Sequence, residues 1–196
     1  MPVSRIAPLE PPYAPGIAEE LARWMPPDSP LPPLALFRTL ATDHPLAQAM
    51  RGVGSFLLSR RFALPLRERE IVIDRVCARC GCEYEWGVHM TAFAAAAGFS
   101  EAEIAATEQS AVDGAVWSER EALLLRLVDE LHDTGHASAT LWAELAVSYD
   151  QRQLLELLVL CGWYHLISFV ANGAQVELEP WARRFATPRE QSEVTD

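Results

Sequence analysis

A thiol, a carboxyl group and an imidazole occur together within one short stretch of this sequence. Cys82, Glu85 and His89 stand at relative positions 0, 3 and 7. In an α-helix, at about 100° per residue, these positions fall within an arc of about 60°. Trp86 and Phe93 fall on the same side of that helix. The spacing therefore predicts an aromatic-lined helix face that carries three groups capable of chemistry on one small molecule.

The types of these residues suggest separate roles for them in a proton transfer. His89 follows Glu85 by four residues, which brings the two side chains within hydrogen-bonding reach on one helix face. A carboxyl group enclosed by aromatic rings has a raised pKa, which is the condition for a general acid at neutral pH. Glu70, from a preceding helix, could bind the other ring nitrogen of His89 and fix its tautomer. We therefore expect Glu85 as the acid, His89 as base or proton shuttle, and Glu70 as the orienting group.

The order of these residues is that of a known family. Glu70, Cys82, position 85 and His89, set in RERE-IVIDRV and GCEYEWGVH, resemble the motif of the carboxymuconolactone decarboxylase and alkyl hydroperoxidase D (AhpD) superfamily. The likeness extends to AGFSEAEIAA, WSEREALLLRLVDEL and LVLCGWYHLISFVAN, and it covers roughly residues 35–178. The resemblance implies an all-α, AhpD-like helical domain built around a helical hairpin, which works without a metal. It also implies a homo-oligomer, either a trimer or a hexamer built from dimers.

The sequence departs from the hydroperoxidase pattern at one position. The hydroperoxidases carry C-x-x-C before the histidine, whereas Glu85 replaces the second cysteine here. Thiol peroxidation needs a second thiol that resolves the sulfenic acid as a disulfide. Cys77 and Cys80 lie three apart within one helix, where a disulfide is strained. Cys80 and Cys82 flank a turn and are the more flexible pair, although Cys77, Cys80 and Cys161 are also typical of small buried apolar groups.

Glu70, Glu85 and His89, with His165 from the last helix, also raise the possibility of a metal site. The spacing lacks the paired Glu-x-x-His repeats of di-metal helical bundles. We therefore expect neither a metal ion nor any other cofactor in this site.

Aromatic and histidine side chains complete the expected pocket. Trp86, Phe93 and His165 are candidates for its lining, although a histidine in a core helix is often only a satisfied structural group. His132 and His136 flank a glycine near a predicted helix end, where they suit the helix dipole or solvent.

The chain divides into three parts by composition. Residues 1–33 hold ten of the 14 prolines and predict an extended arm with one short helix at 17–25. Residues 34–178 form the predicted helical domain, and residues 179–196 a C-terminal tail. Within the domain we expect helices at 34–41, 45–60, 66–80, 82–97, 139–149 and 151–176, and helices opened by capping boxes at Ser100 and Ser118. Gly81 is expected to turn the chain between the two helices of the hairpin.

Charge and composition limit the partners. The net charge of −11, from 27 acidic and 16 basic residues, argues against nucleic acid and anionic membranes. The N-terminus lacks the apolar segment of a secretory signal, so we expect a cytoplasmic protein with reduced thiols. The last helix is long and apolar, but Glu156, His165 and Asn172 favour burial in a domain or a subunit interface over membrane insertion.

Three functions remain open from the sequence. The first is cofactor-independent acid/base chemistry, a decarboxylation or isomerisation of a small organic acid, lactone or enolisable carbonyl. The second is a thiol-dependent alkyl hydroperoxidase with Cys82 as the attacking thiol, an antioxidant activity of the peroxiredoxin type. The third is a non-catalytic oligomer that binds a small ligand.

Overall fold

The computed structural model describes residues 4–27 and 29–186, and the helices found there follow the sequence pattern closely. Their bounds are α1 Pro15–Trp24, α2 Ala35–Leu40, α3 His44–Leu57, α4 Leu66–Arg79, α5 Glu83–Ala97, α6 Glu101–Thr107, α7 Glu119–Thr134, α8 Ala139–Ser148 and α9 Gln151–Ala174. No strand occurs in these ranges, which confirms the all-α class. The capping boxes at Ser100 and Ser118 are both formed, and Asp150 opens α9 with a third.

The hairpin of α4 and α5 is the centre of the domain. Ten of the fourteen residues of α4 are buried, and this helix packs against α5, α7 and α9. Gly81 adopts φ 61°, a left-handed conformation that glycine reaches without strain, and so reverses the chain after α4. The amide of Cys82 donates to the Cys77 carbonyl at 2.8 Å, which closes the turn. The hairpin thereby sets residues of α4 directly against residues of α5.

Both ends of the described chain pack onto the helical domain. In the proline-rich arm, the amide of Arg5 donates to the Ala174 carbonyl at 2.8 Å, and α1 packs on α3. Beyond α9, Glu179 accepts hydrogen bonds from the Tyr84 hydroxyl at 2.8 Å and the Ala35 amide at 2.7 Å. Residues 187–196 of the expected tail lie outside the described residues.

Helix α9 is long and apolar enough to cross a membrane by length and composition. Its most apolar 18-residue window has a mean hydropathy of 1.8, and 50% of that window is buried inside the domain. Core helices of soluble proteins meet the same criterion, and α9 packs here against α4, α5 and α8. Its remaining face is exposed and apolar, with Leu155 and Phe169 each more than 60% exposed.

Candidate active site

The site is built around His89, a buried residue in the middle of α5. Its Nδ1 lies 2.7 Å from Oε2 of Glu70, one helix away across the hairpin. The other carboxylate oxygen of Glu70 accepts a hydrogen bond from Nε of Arg69 at 2.8 Å. His89 is 3% exposed and Glu70 is fully buried, so this pair is withdrawn from solvent. Glu70 is therefore placed to orient the ring, which is the role that the sequence analysis expects for it.

The second ring nitrogen of His89 faces two further groups. Its Nε2 lies 3.1 Å from the hydroxyl oxygen of Tyr164 on α9 and 3.6 Å from Oε1 of Glu85 on the preceding turn of α5. The other carboxylate oxygen of Glu85 is buried and has no hydrogen-bond partner among the described residues. The imidazole is thus held between two carboxyl groups and a phenol, which is a suitable arrangement for moving a proton.

The charge of His89 is set by competing effects. Burial alone lowers the pKa of the ring, but attraction and hydrogen bonding to Glu70 and Glu85 outweigh it and raise the pKa to about 10. His89 therefore carries its proton at neutral pH. An imidazolium is a proton donor, which suits the proton-shuttle role expected for His89 more than the role of a general base.

Asp74 adds a second acid that the sequence pattern did not single out. It lies one turn after Glu70 on the same face of α4, and burial, followed by repulsion from Glu70, raises its pKa well above the usual value despite the nearby His89. Its Oδ1 is buried without a hydrogen-bond partner in the described part of the chain. A neutral carboxylic acid on this face can donate a hydrogen bond to a reacting oxygen.

Cys82 lies at the other end of the same helix face. It is the N-cap of α5 and fully buried, and burial raises the pKa of its thiol to about 12 although the backbone amide of Glu85 favours the thiolate. Seven residues separate it from His89, which is about 10 Å along a helix axis. No hydrogen bond joins the two side chains in the described ranges, and Glu85 lies between them. Sulfur, carboxyl and imidazole are therefore enclosed together but arranged in a row.

A second thiol lies near Cys82. Cys80 is half-buried just beyond the end of α4, and the buried hydroxyl of Ser168 on α9 interacts with both thiols in a way that favours their ionised forms. Among the described residues, this hydroxyl has no hydrogen-bond partner of normal geometry. Burial nevertheless raises the pKa of Cys80 as well. Cys80 and Cys82 thus flank the turn of the hairpin and both interact with Ser168.

The three residues expected to line the pocket do not lie together. Phe93 lies beside the site, with its ring 5.2 Å from that of His89 and the Arg69 guanidinium 5.5 Å from its centre. Trp86 instead donates its indole N–H to Thr107 at 3.0 Å and packs on the C-terminal segment. His165 points to another surface, where its Nε2 lies 3.0 Å from Nδ1 of His132.

His132 lies in the last turn of α7, a position that suits the helix dipole as expected, and it is half-buried against His165 rather than solvated. His136 is exposed, as expected for a residue beyond the end of α7.

A cavity lies away from the His89 site. A cavity of about 110 Å³ is lined by Arg75, Ala78, Arg79, Thr107, Glu108, Gln109 and Ser110, none of which belongs to the His89 site. Near His89, Phe93 is half-buried and Arg69 is nearly buried.

Sequence reasoning missed Asp74 and Arg69. A signal for Asp74 was available, since it follows Glu70 by four residues and must share its helix face. Tyr164 neighbours the predicted His165, but successive residues of a helix point about 100° apart, so only one of them can reach His89.

The comparisons with known proteins agree with this architecture. Residues 45–126, which include Glu70, Cys82, Glu85 and His89, match the profile of the Carboxymuconolactone decarboxylase family. Among curated proteins, no sequence matches the chain.

Solved structures share the fold at low sequence identity. A protein of unknown function from Agrobacterium tumefaciens, named as a candidate antioxidant defence protein AhpD, superposes with a TM-score of 0.63 at 19% identity, over 71% of this chain and 94% of that one. The debrominase Bmp8, as a cysteine-to-alanine variant in complex with 2,3,4-tribromopyrrole, gives a TM-score of 0.72 at 16% identity, over 90% and 92%. An uncharacterized peroxidase-related protein from Silicibacter sp. TM1040 gives 0.73 at 14% identity, over 89% and 93%. Residues 45–126 are thus similar to the carboxymuconolactone decarboxylase family, and the described part of the chain shares the all-α, AhpD-like fold of these solved structures.

Proposed function

We propose that the chain is an enzyme that decarboxylates a small organic acid, a lactone acid or a related enolisable carbonyl compound, with His89 as the proton donor. The observation that carries this proposal is the buried imidazole between Glu70 and Glu85, whose pKa is raised to about 10. Decarboxylation needs a donor that holds its proton before the reaction, and this ring meets that need.

The chemistry requires only proton movement. Loss of CO₂ breaks the bond between the carboxylate carbon and its neighbour, and the electron pair moves into the adjacent carbonyl as an enolate. The proton on Nε2 of His89 then passes to the carbanion carbon and leaves a neutral imidazole, which regains a proton from solvent. The hydroxyl of Tyr164 and the neutral acid of Asp74 can donate hydrogen bonds to the enolate oxygen. The same groups would support an isomerisation, in which Glu85 removes the proton that His89 replaces.

The side of the site near Phe93 supplies the entrance in this proposal. Arg69 lies against the Phe93 ring and is already oriented by its ion pair with Glu70 at 2.7 Å. A guanidinium in that place suits the carboxylate of an entering substrate, because its planar fork binds two oxygens at once. Movement of the Phe93 side chain would open a path to His89.

A paired comparison of variants tests the proposal. Small carboxylic acids with a carbonyl or lactone group near the carboxylate are screened for CO₂ release by the wild-type protein, by His89→Gln and by Cys82→Ser. His89→Gln is expected to lose about 100-fold or more in turnover, the usual loss for a general acid, whereas Cys82→Ser retains activity. Turnover that disappears in Cys82→Ser and persists in His89→Gln would contradict the proposal, as would a screen in which no such acid reacts.

A thiol-dependent hydroperoxidase is the second candidate, and the proximity of Cys80 and Cys82 around Ser168 favours it. The Cys82 thiolate would attack the peroxide, releasing an alcohol or water and leaving a sulfenic acid. The Cys80 thiol would then displace water to form a disulfide, which an external dithiol reduces. The raised pKa of Cys82 opposes the first step. Peroxide consumption with excess dithiol decides between the two: activity lost in both Cys80→Ser and Cys82→Ser supports this candidate, and no consumption removes it.

We further propose that the chain self-associates through the exposed face of α9. Leu155, Val159, Leu166 and Phe169 are each at least 42% exposed on that helix, and an apolar strip of this kind is typical of a subunit interface. The family resemblance favours a trimer, or a hexamer built from dimers. The mass in solution of wild-type protein and of Phe169→Lys tests this: a monomeric wild type would contradict it.

A further inference from the structure

Three potential metal ligands meet on a surface away from His89. Cys80 lies just beyond the end of α4, His132 in the last turn of α7 and His165 in the middle of α9. Nδ1 of His132 lies 3.0 Å from Nε2 of His165 and 3.9 Å from Sγ of Cys80, and all three atoms lie within 4.8 Å of one another. Each residue is half-buried, so the cluster is sheltered but reachable from solvent.

The hydrogen bond on the far side of His165 fixes which nitrogen is available. Its Nδ1 donates to the Cys161 carbonyl at 2.8 Å, one turn back on α9. The proton of the neutral ring therefore lies on Nδ1, and the lone pair of Nε2 points toward His132 and Cys80. Histidines that bind metals almost always donate their second ring N–H to a carbonyl or carboxylate in this way.

The backbone that carries the cluster is held in place. The side-chain amide of Asn172 on α9 donates to the Cys80 carbonyl at 2.9 Å, which ties the end of α4 to the helix that carries His165. The nearby positive charge of Arg79 is balanced by Asp129, 3.5 Å away, and by an ion pair with Asp133. Bringing a cation to this surface thus meets little net repulsion.

Two of the three distances between the ligand atoms lie near those around a tetrahedral ion. Zinc binds imidazole nitrogen at about 2.0–2.1 Å and thiolate sulfur at about 2.3 Å, which separates two nitrogens by about 3.3 Å and a nitrogen from a sulfur by about 3.6 Å. The His132 pairs to His165 and to Cys80, at 3.0 and 3.9 Å, each lie close to these values. Rotation of the half-buried Cys80 side chain can adjust the remaining distance, from Sγ of Cys80 to Nε2 of His165.

We propose that Cys80, His132 and His165 form a binding site for a divalent transition-metal ion of the zinc class, with one coordination position left open. Thiolate and imidazole together select such ions over magnesium and calcium, which prefer oxygen. The site is independent of the proposed decarboxylation, since none of its ligands contacts His89.

Metal binding at this site would also govern the thiol chemistry of the hairpin. In the hydroperoxidase candidate, Cys80 is the thiol that resolves the Cys82 sulfenic acid. A Cys80 thiolate bound to a metal is not free to do so. Bound zinc is therefore expected to slow formation of a Cys80–Cys82 disulfide on oxidation.

Zinc titration of tag-free full-length protein, freed of metal with a chelator, tests the proposal. Competition with a chromogenic chelator is expected to give one ion per chain, and Cys80→Ser and His132→Gln are expected to weaken binding at least about tenfold each. His136→Gln, which changes an exposed histidine four residues from His132, is the matched control and is expected to bind as wild type.

Cobalt provides a readout that does not depend on affinity alone. Co²⁺ in this site is expected to show a thiolate-to-metal charge-transfer band that Cys80→Ser abolishes while circular dichroism shows the helices intact. Absence of stoichiometric zinc binding would overturn the proposal. Equal losses in His132→Gln and His136→Gln, or a cobalt band that survives Cys80→Ser, would do the same.

Discussion

Removal of the Glu70 charge is expected to change how the stability of the protein depends on pH. The pKa of His89 rises from 6.5 to about 10 on folding, so the folded state binds a proton that the unfolded state releases at lower pH. This contribution to stability is complete below pH 6.5 and is lost as the pH rises toward 10. Glu70→Gln keeps a hydrogen-bond acceptor beside Nδ1 but removes the negative charge, which lowers the pKa of His89.

The size of this pH dependence follows from the shift in the pKa of His89. At 1.36 kcal/mol per pKa unit, the higher pKa of His89 in the folded state contributes about 5 kcal/mol to the free energy of unfolding at low pH. About 2 kcal/mol of this contribution is lost between about pH 6.5 and about pH 8.5. The window ends there because unfolded cysteines begin to ionise above it. Glu70 contributes more than Glu85 to the upward shift, so Glu70→Gln is expected to reduce the wild-type loss by at least about half, to about 1 kcal/mol.

Urea denaturation at fixed protein concentration, followed by circular dichroism at a series of pH values, measures this dependence. Glu68→Gln is the matched control: it removes a charge from the same helix, but that carboxylate pairs with Arg120 at 2.6 Å, away from His89. The control is expected to keep the wild-type slope. A wild-type stability that is flat or rises across the window would refute the reasoning, as would equal slopes in Glu70→Gln and wild type.

Three further predictions concern the site and its support. Tyr164→Phe removes the hydroxyl 3.1 Å from the imidazole, and is expected to cost about 1 kcal/mol of stability and about 10- to 100-fold in turnover; unchanged turnover would exclude a role for the phenol. In chelator-treated protein at mildly alkaline pH, iodoacetamide is expected to modify half-buried Cys80 first and to spare fully buried Cys82, whose pKa is about 12; mass spectrometry showing equal rates would contradict this. Gly87→Ala would place a methyl group 2.1 Å from a backbone carbonyl oxygen of the C-terminal segment and is expected to destabilise by about 1–3 kcal/mol in urea. Gly52→Ala is the control, because a methyl group there would have no atom within 4 Å, and it is expected to stabilise the protein by about 0.5–1 kcal/mol. Similar effects of the two substitutions would show that the C-terminal segment moves away from position 87 without cost.

The helices were predictable because their signals are local. Capping boxes at Ser100 and Ser118 and the prolines and glycines between apolar runs fix helix ends through neighbouring backbone groups. The pairing of Glu85 with His89 was also predictable, since four residues on a helix determine it.

The raised pKa of His89 was not predictable, because it depends on groups brought together by packing. Spacing on α5 shows that Glu85 reaches His89, but whether Glu70 and Glu85 together outweigh the effect of burial on the pKa of the ring depends on how closely α4 packs on α5. The raised pKa of Asp74 likewise arises first from burial between helices, with repulsion from Glu70 as the second cause. The separation of His165 from His89 follows from the rotation of α9, which no local pattern specifies.

The protonation state of His89 in the wild-type protein is the most direct test of the central claim that a buried imidazolium is the proton donor. Nitrogen chemical shifts of the histidine rings, with His89 identified by its loss in His89→Gln, report whether one or both ring nitrogens carry a proton at each pH. Both nitrogens of His89 are expected to be protonated at neutral pH and to titrate near 10. A titration near 6.5, the ordinary value for histidine, would contradict the claim.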